Sequence, residues 1–548
     1  MNNTKLIALT LVAALTLSSF PALAQSNNGR APAAVSAQAR GNVEGITAAQ
    51  IKDYLTFIAS DEMEGRDTPS RGLDTTAKYL ASQLSRWGLK PAGDDGTYFQ
   101  RIALRRSKID PGLTRAEFDT QTFTYGEDFL ADTTAGSVSG QLVYAGHGWV
   151  IKAQNIDAYR GLEVKDKIVV IAGDQLPKGV SGLSGRQGED WDFPATAAQK
   201  RGAKGIIFVP GYATWANWSL SRQRATERGS VIVEKFQTSN ATPFPSITAG
   251  PRLLSALFRG EKSNGSAIFN RAATNDTVEP FELKPEKKIS LTVGIKSETV
   301  STQNVVAVLE GSDPALKNEY VAIGAHYDHV GIGTPVNGDA IYNGADDDGS
   351  GTTAVLAMAE AFARGPRPKR SILFIWHAGE EKGLWGSKYF TDYPTIPINQ
   401  IITELNIDMI GRTKKENDKP ANQPLPKPGE IFLIGSKMMS TELGELSEAV
   451  NKSYLNLKFN YKYDDPNDPE RFFYRSDHFN YARKGIPIIF YMDGVHEDYH
   501  RPSDSVEKID FEQMEKVTRT VYATAWELAN RAQRPRVDKP LPASVTGQ

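Results

Sequence analysis

The 548-residue sequence predicts an α/β protein whose mixed, mostly parallel sheet lies between helices, with a β-rich unit inserted into the chain. Three observations predict it. Tyr320–Ala325 and Ser371–Trp376 are short apolar runs that give way to glycine and polar residues, as strands buried on both faces do. Strand-like and helix-period segments alternate from about Gln303 to Arg531. Between about residues 135 and 290 the pattern changes to short β segments instead.

Composition bounds the reading. A chain this long exceeds one ordinary core, so two domains are expected. The formal net charge of -2 provides no electrostatic footprint for nucleic acid or an anionic membrane, and neither is expected as a partner. Lys5, the apolar run Leu6–Leu17 and Ala22-Leu23-Ala24 read as a secretory signal over residues 1–24, cleaved near Gln25. The run is short for a membrane span, so an exported chain, periplasmic or secreted, with no stable membrane anchor is expected. The absence of cysteine excludes disulfides and a lipid-modified N-terminal cysteine.

In chain order, residues 25–44 read as a disordered lead-in rich in Ala, Asn, Gly and Ser. Thr47-Ala48-Ala49-Gln50 is a capping box opening a helix to about Ile58. A second helix runs from about Ser70 to Trp87, with Leu73, Ala77, Leu80, Leu84 and Trp87 on one face and Gly88 as its stop. The charged stretch Ser60–Asp67 between them reads as a solvated connection. Inside 135–290, Gly140–Ala145, Lys167–Ala172, Gly205–Val209 and Pro245–Thr248 read as strands and Phe193–Arg201 as a helix. Residues 45–134 and 291–533 then form one discontinuous domain, because the N-terminal helices have no evident core of their own. Its last helix opens with Asp510 and Gln513 as a capping box and carries Met514, Val517, Val521 and Leu528 on one face. Residues 534–548, with three prolines, read as a loose tail.

Six of the seven histidines follow residue 325, most of them close to acids. The passages are His326-Tyr327-Asp328-His329, Gly344-Ala345-Asp346-Asp347-Asp348-Gly349-Ser350-Gly351, Gly379-Glu380-Glu381-Lys382-Gly383-Leu384-Trp385-Gly386-Ser387, Asn406-Ile407-Asp408-Met409 and Tyr499-His500-Arg501-Pro502-Ser503-Asp504. His326 and Glu380-Glu381 fall just past strand ends, the edge where open α/β sheets bind ligands. Buried carboxylates stay ionised only beside a compensating cation, so the pattern asks for metal. Glu380 and Glu381 are neighbours whose side chains diverge, which lets one bind metal while the other stays free.

In this order and approximate spacing the blocks resemble the co-catalytic dizinc aminopeptidases, metallopeptidase family 28 of the aminopeptidase Y and S type. Within the inserted unit, Ala197-Ala198-Gln199-Lys200-Arg201-Gly202-Ala203-Lys204-Gly205-Ile206-Ile207 resembles a protease-associated domain. The resemblance implies two zinc ions per chain, one held by His326 and Asp408, the other by Glu381 and His500, with the middle aspartate Asp347 bridging and a cis bond between Asp347 and Asp348. It implies Glu380 as general base toward a bridging hydroxide, Asp328 and Asp504 as acceptors that fix the imidazoles of His326 and His500, and Tyr499 as a stabiliser of the oxyanion. Arg475-Ser476-Asp477-His478 fits a block that supports the site, while His329, His377 and His496 read as core or surface histidines. The implied activity is aminopeptidase action on peptides. A carboxypeptidase or dipeptidase on the same centre, with Arg412, Arg475 or Arg501 holding the carboxylate, and a single-zinc glutaminyl cyclase stay open.

Overall fold

A computed structural model describes residues 40–541, apart from 173–174, 184–186, 238–242, 275, 277, 417–423 and 466–467, together with residue 545. The expected signal and most of the expected lead-in lie outside the described residues. Among the described residues no helix is long and apolar enough to cross a membrane.

The apolar runs become strands because their side chains are shielded on both faces. We number the principal strands β1 (Phe99–Ile109), β2 (Ile295–Leu309), β3 (Tyr320–His326), β4 (Ser371–His377), β5 (Ile401–Ile407), β6 (Glu430–Ile434) and β7 (Ile488–Met492). Every residue of β4, β5 and β7 is buried, as is β3 from Val321 onward. They belong to a ten-stranded sheet in which β1, β2, β4, β3, β5, β7 and β6 lie side by side in that order. β4, β3, β5 and β7 run parallel, while β1, β2 and β6 join antiparallel at the flanks. The sheet is mixed as expected, but its parallel part is confined to the centre. β1 was not legible as a strand because its exposed face carries Arg101 and Arg105, which mask an alternation that buries Ile102 and Leu104.

Helices α1 (Ala48–Ile58), α2 (Arg71–Arg86), α3 (Gly349–Arg364) and α4 (Phe511–Asn530) cover one face. Ile51, Leu55, Leu73 and Leu84 share a single core with Val355, Phe362, Val517 and Val521, so the N-terminal helices do pack on the later sheet. The opposite face buries Ile375, Phe390, Tyr481 and Phe490. α1 carries the reciprocal capping box at Thr47 and Gln50. α4 has only half of one: Asp510 accepts the Gln513 N–H, but the Gln513 side chain instead bonds Gly429 N–H and the Glu430 carbonyl, tying α4 to β6.

A second sheet of nine strands has its own core around Phe123, Phe129, Leu253 and Phe258. It contains the expected segments as Gly136–Tyr144, Ile168–Ala172, Gly205–Val209 and Ser246–Ala249, with a helix at Pro194–Lys200. It also takes in Arg115–Phe118, Gln121–Thr124 and Phe129–Ala131, so the unit begins well before residue 135. Both chain ends depart from expectation in the same way. Val43 is buried and Asn42 N–H donates to the Tyr522 hydroxyl, so residues 40–44 are not a loose lead-in. Residues 534–541 are pinned: Arg534 pairs with Glu319 at 2.8 Å, Asp538 caps the helix Thr441–Lys452 at its Thr441 N–H, and Val537 and Leu541 pack on the core.

Candidate metal centre

Four parallel strands deliver the site from one edge. β3 ends on His326; Glu380 and Glu381 follow β4; Asp408 follows β5; and the loop after β7 carries Tyr499 and His500. Asp347 lies in the loop that feeds α3, where Asp348 caps the helix by accepting the Gly351 N–H at 2.8 Å. The peptide bond between Asp347 and Asp348 is cis.

The structure brings the expected ligands into two groups that share Asp347: His326, Asp347 and Asp408 in one, and His329, Asp347, Glu381 and His500 in the other. His326 Nε2 lies 3.3 Å from Asp347 Oδ1 and 3.6 Å from Asp408 Oδ1. His500 Nε2 lies 3.0 Å from Asp347 Oδ2 and 3.1 Å from Glu381 Oε2. Asp347 Oδ2, Glu381 Oε1 and His500 Nε2 are buried yet make no hydrogen bond. Short approaches without hydrogen-bond geometry mean that these atoms converge on a common point, and mixed imidazole and carboxylate donors suit a divalent cation such as zinc. Glu380 is in neither group; its Oε2 stands 3.9 Å from His326 Nε2.

Electrostatics express the same demand for positive charge. Burial opposes a charged His500, but Asp347 and Glu381 outweigh it and push its pKa up to about 10. His326 is held well above its usual value against burial by Asp408, Glu380 and Asp347. Burial opposes ionisation of Glu381, yet His329 and His500 hold its pKa down to about 2. Glu380 moves the other way, well above the usual range, through burial reinforced by Glu381 and Asp408. A bound cation would displace the imidazole protons and serve the carboxylates in their place.

The expected supporting residues take different partners. His326 Nδ1 lies 3.1 Å from the backbone carbonyl of Asp328, whereas the Asp328 carboxylate accepts the Glu380 N–H and the Thr68 hydroxyl. Asp504 accepts the N–H groups of Asp346 and Asp347, so it orients the bridging loop and not His500. Ser476, from the passage expected to support the site, donates to Asp408 Oδ2 at 2.6 Å. Tyr499 stacks on His500 with ring centroids 3.9 Å apart. His377 is a core histidine whose pKa burial pulls down to about 3. His496, also buried, contacts Asp346 and Arg412. His329, expected to be an ordinary histidine, is drawn into the second group.

Residues 304–525 match Peptidase family M28. A probable leucine aminopeptidase of Arthroderma benhamiae is 26% identical over 245 residues, 43% of this chain and 61% of that protein. A probable leucine aminopeptidase of Trichophyton verrucosum is 30% identical over 238 residues, 41% of this chain and 56% of that protein. The matched region thus spans less than two thirds of the length of these curated relatives. Among solved structures, an aminopeptidase from Aneurinibacillus sp. strain AM-1 has a TM-score of 0.52 at 18% identity, covering 91% of this chain and 98% of that chain. A zinc aminopeptidase from Bacillus subtilis has a TM-score of 0.50 at 16% identity, covering 90% and 99%. Both are likenesses of fold.

One residue that holds the centre gave no signal in the sequence. Arg66, in the stretch read as a solvated connection, is fully buried. Its guanidinium donates to the carbonyls of Tyr327, Ile58, Asn343 and Gly344, at 2.7 to 2.9 Å, and so ties the His326 loop to the Asp347 loop. Gly65 makes the approach possible: its φ is +64° and an added Cβ would strike the Tyr342 and Gly331 carbonyls. Burial pulls the Arg66 pKa down to about 10, opposed by Asp328, Asp348, Asp504 and Asp347, so it remains a cation among carboxylates. Arg66→Met should cost about 3–5 kcal/mol, because it orphans several buried carbonyls and removes a compensating charge. Denaturant unfolding of the variant would contradict this if its midpoint matched that of the native chain.

Proposed function

From the match of residues 304–525 to Peptidase family M28, we propose that this chain is a metallopeptidase of that family, an exported zinc aminopeptidase that removes N-terminal residues from peptides. The observation that carries the reading is the pair of donor groups sharing Asp347, with the free carboxylate of Glu380 beside them. His326, Asp347 and Asp408 would hold one zinc, and Asp347, Glu381 and His500 the other. Bound zinc would supply Lewis acidity, lowering the pKa of a water and polarising the scissile carbonyl.

The side chains of the chain do the rest. Glu380, which stands beside the donor groups but belongs to neither, takes the proton of the attacking water and passes it to the leaving amine. The Asp328 carboxylate accepts the Glu380 N–H at 3.1 Å and so fixes where that glutamate starts. Tyr499 keeps its proton, because burial and the charges of Asp347 and Glu381 oppose its loss, and its hydroxyl stabilises the oxyanion. The inserted unit supplies no catalytic group and limits access. Its Arg224 and Arg228 bond Thr334 and the Ile332 carbonyl in the hairpin that follows His329.

Amine recognition is favoured because acidic side chains dominate the centre. Of the three arginines able to hold a substrate carboxylate, Arg412 is taken up by Asp498 at 2.9 Å. Arg475 keeps a carboxypeptidase reading alive, since it is exposed and its charge is felt at Tyr499. The two groups sharing Asp347 speak against a single-zinc cyclase.

Glu380→Gln should keep its zinc and lose roughly 10²–10⁴ in turnover, as loss of a general base does. Metal analysis that found zinc lost from this variant would mean Glu380 is a ligand. The activity itself is tested by offering one peptide unmodified, N-acetylated and C-amidated, with products followed by mass spectrometry. Acetylation should block cleavage and amidation should not; the reverse pattern would replace the aminopeptidase with a carboxypeptidase.

A further inference from the structure

We infer that His329 is a protein ligand of the second metal, making that position richer in donors than its neighbour. The inference rests on the two-metal reading above. His329 Nδ1 lies 2.8 Å from Glu381 Oε1 and 3.7 Å from Asp347 Oδ2, in a ring that is 0% exposed. Despite the 2.8 Å separation, neither His329 nitrogen nor Glu381 Oε1 makes a hydrogen bond. A buried imidazole with both nitrogens unpartnered is costly unless something else satisfies it. The nitrogen and the oxygen approach one another without hydrogen-bond geometry, and donor atoms of Asp347 and His500 lie within 4.8 Å of them.

The chain holds the ring there. The backbone N–H of His329 donates to the Arg66 carbonyl at 3.2 Å, and Gly344, at φ +58°, leaves room for the imidazole, since a Cβ there would strike it. The His329 and His500 rings stand 5.5 Å apart at 75°, an arrangement in which two imidazoles can offer lone pairs to one ion without stacking. The second group then offers Asp347, Glu381, His329 and His500, while the first offers His326, Asp347 and Asp408. A metal with four protein donors is held like a structural ion, and one with three keeps a position open for water or substrate. The His326, Asp347 and Asp408 group would therefore leave room for water or substrate on its ion, and the group containing His329 would retain its ion more tightly.

The sequence contains no cysteine, which allows a direct readout. In His329→Cys a thiolate replaces the imidazole. Sγ sits closer to the backbone than a coordinating ring nitrogen, but the metal–sulfur bond of about 2.3 Å is longer than the 2.0–2.1 Å to nitrogen and recovers part of the reach. The full-length variant loaded with cobalt(II) should show a thiolate-to-cobalt charge-transfer band that the native chain cannot give. Cobalt bound without that band overturns the inference. A second variant, His329→Ala, is titrated with zinc against a chromophoric chelator. The tighter of the two native constants should weaken by more than about 100-fold, beyond the loss that an orienting partner costs. Both constants remaining within about 100-fold of native overturns the inference. A native chain that binds no metal in either assay would instead overturn the two-metal reading.

Discussion

The structure depends on the compensation of buried negative charge at the carboxyl edge of one sheet. Asp328, Asp347, Asp348 and Asp504 are all buried within the field of Arg66. Asp346 and Asp493 press on one another beside Arg412. Where neither arginine nor metal reaches, neutrality is the remaining solution. Glu404 is fully buried with both oxygens unpartnered, and burial holds its pKa well above the usual range, which favours its neutral form. The chain thus balances its carboxylates by arginine and by proton, and the two groups around Asp347 present a donor set that a divalent cation would balance.

That balance explains why the site is built from loops but does not behave as loose loops do. Apart from Asp347, each ligand lies at the end of a buried strand or in the loop after it, so its backbone position is fixed by the sheet. The ligand loop around Asp347, which follows only the short and poorly buried strand Asp339–Tyr342, is held by Asp504 through two N–H groups and by Arg66 through the carbonyls of Asn343 and Gly344. Asp348 then fastens it to the N-terminus of α3. The position of Asp347 between two donor groups is therefore set from several directions at once.

Much of this was legible in the sequence, and the limits are physical. The strands at Tyr320 and Ser371 were readable because burial on both faces demands uninterrupted apolar runs, and α1 because its cap is local. The ligand positions His326, Asp347, Glu381, Asp408 and His500 were named from motif order, and the fold brings them together. Long-range partners were not readable. Arg66 acts through backbone carbonyls up to 278 residues away, which leave no trace in side-chain pattern. Asp504 was assigned by its spacing from His500, but the chain turns so that it faces Asp346 and Asp347. His329 was passed over because its motif neighbours carried the expected roles, and only the fold aligns it with Glu381.

The central claim is that one aspartate joins two metal positions into a single centre. Zinc per chain, measured by plasma mass spectrometry on the full-length native protein and on Asp347→Ala after equal dialysis, tests it directly. Two zinc ions are expected in the native chain and the loss of both in the variant, since Asp347 serves each group. A native chain with a single zinc, or an Asp347→Ala chain that keeps its full complement, would contradict it.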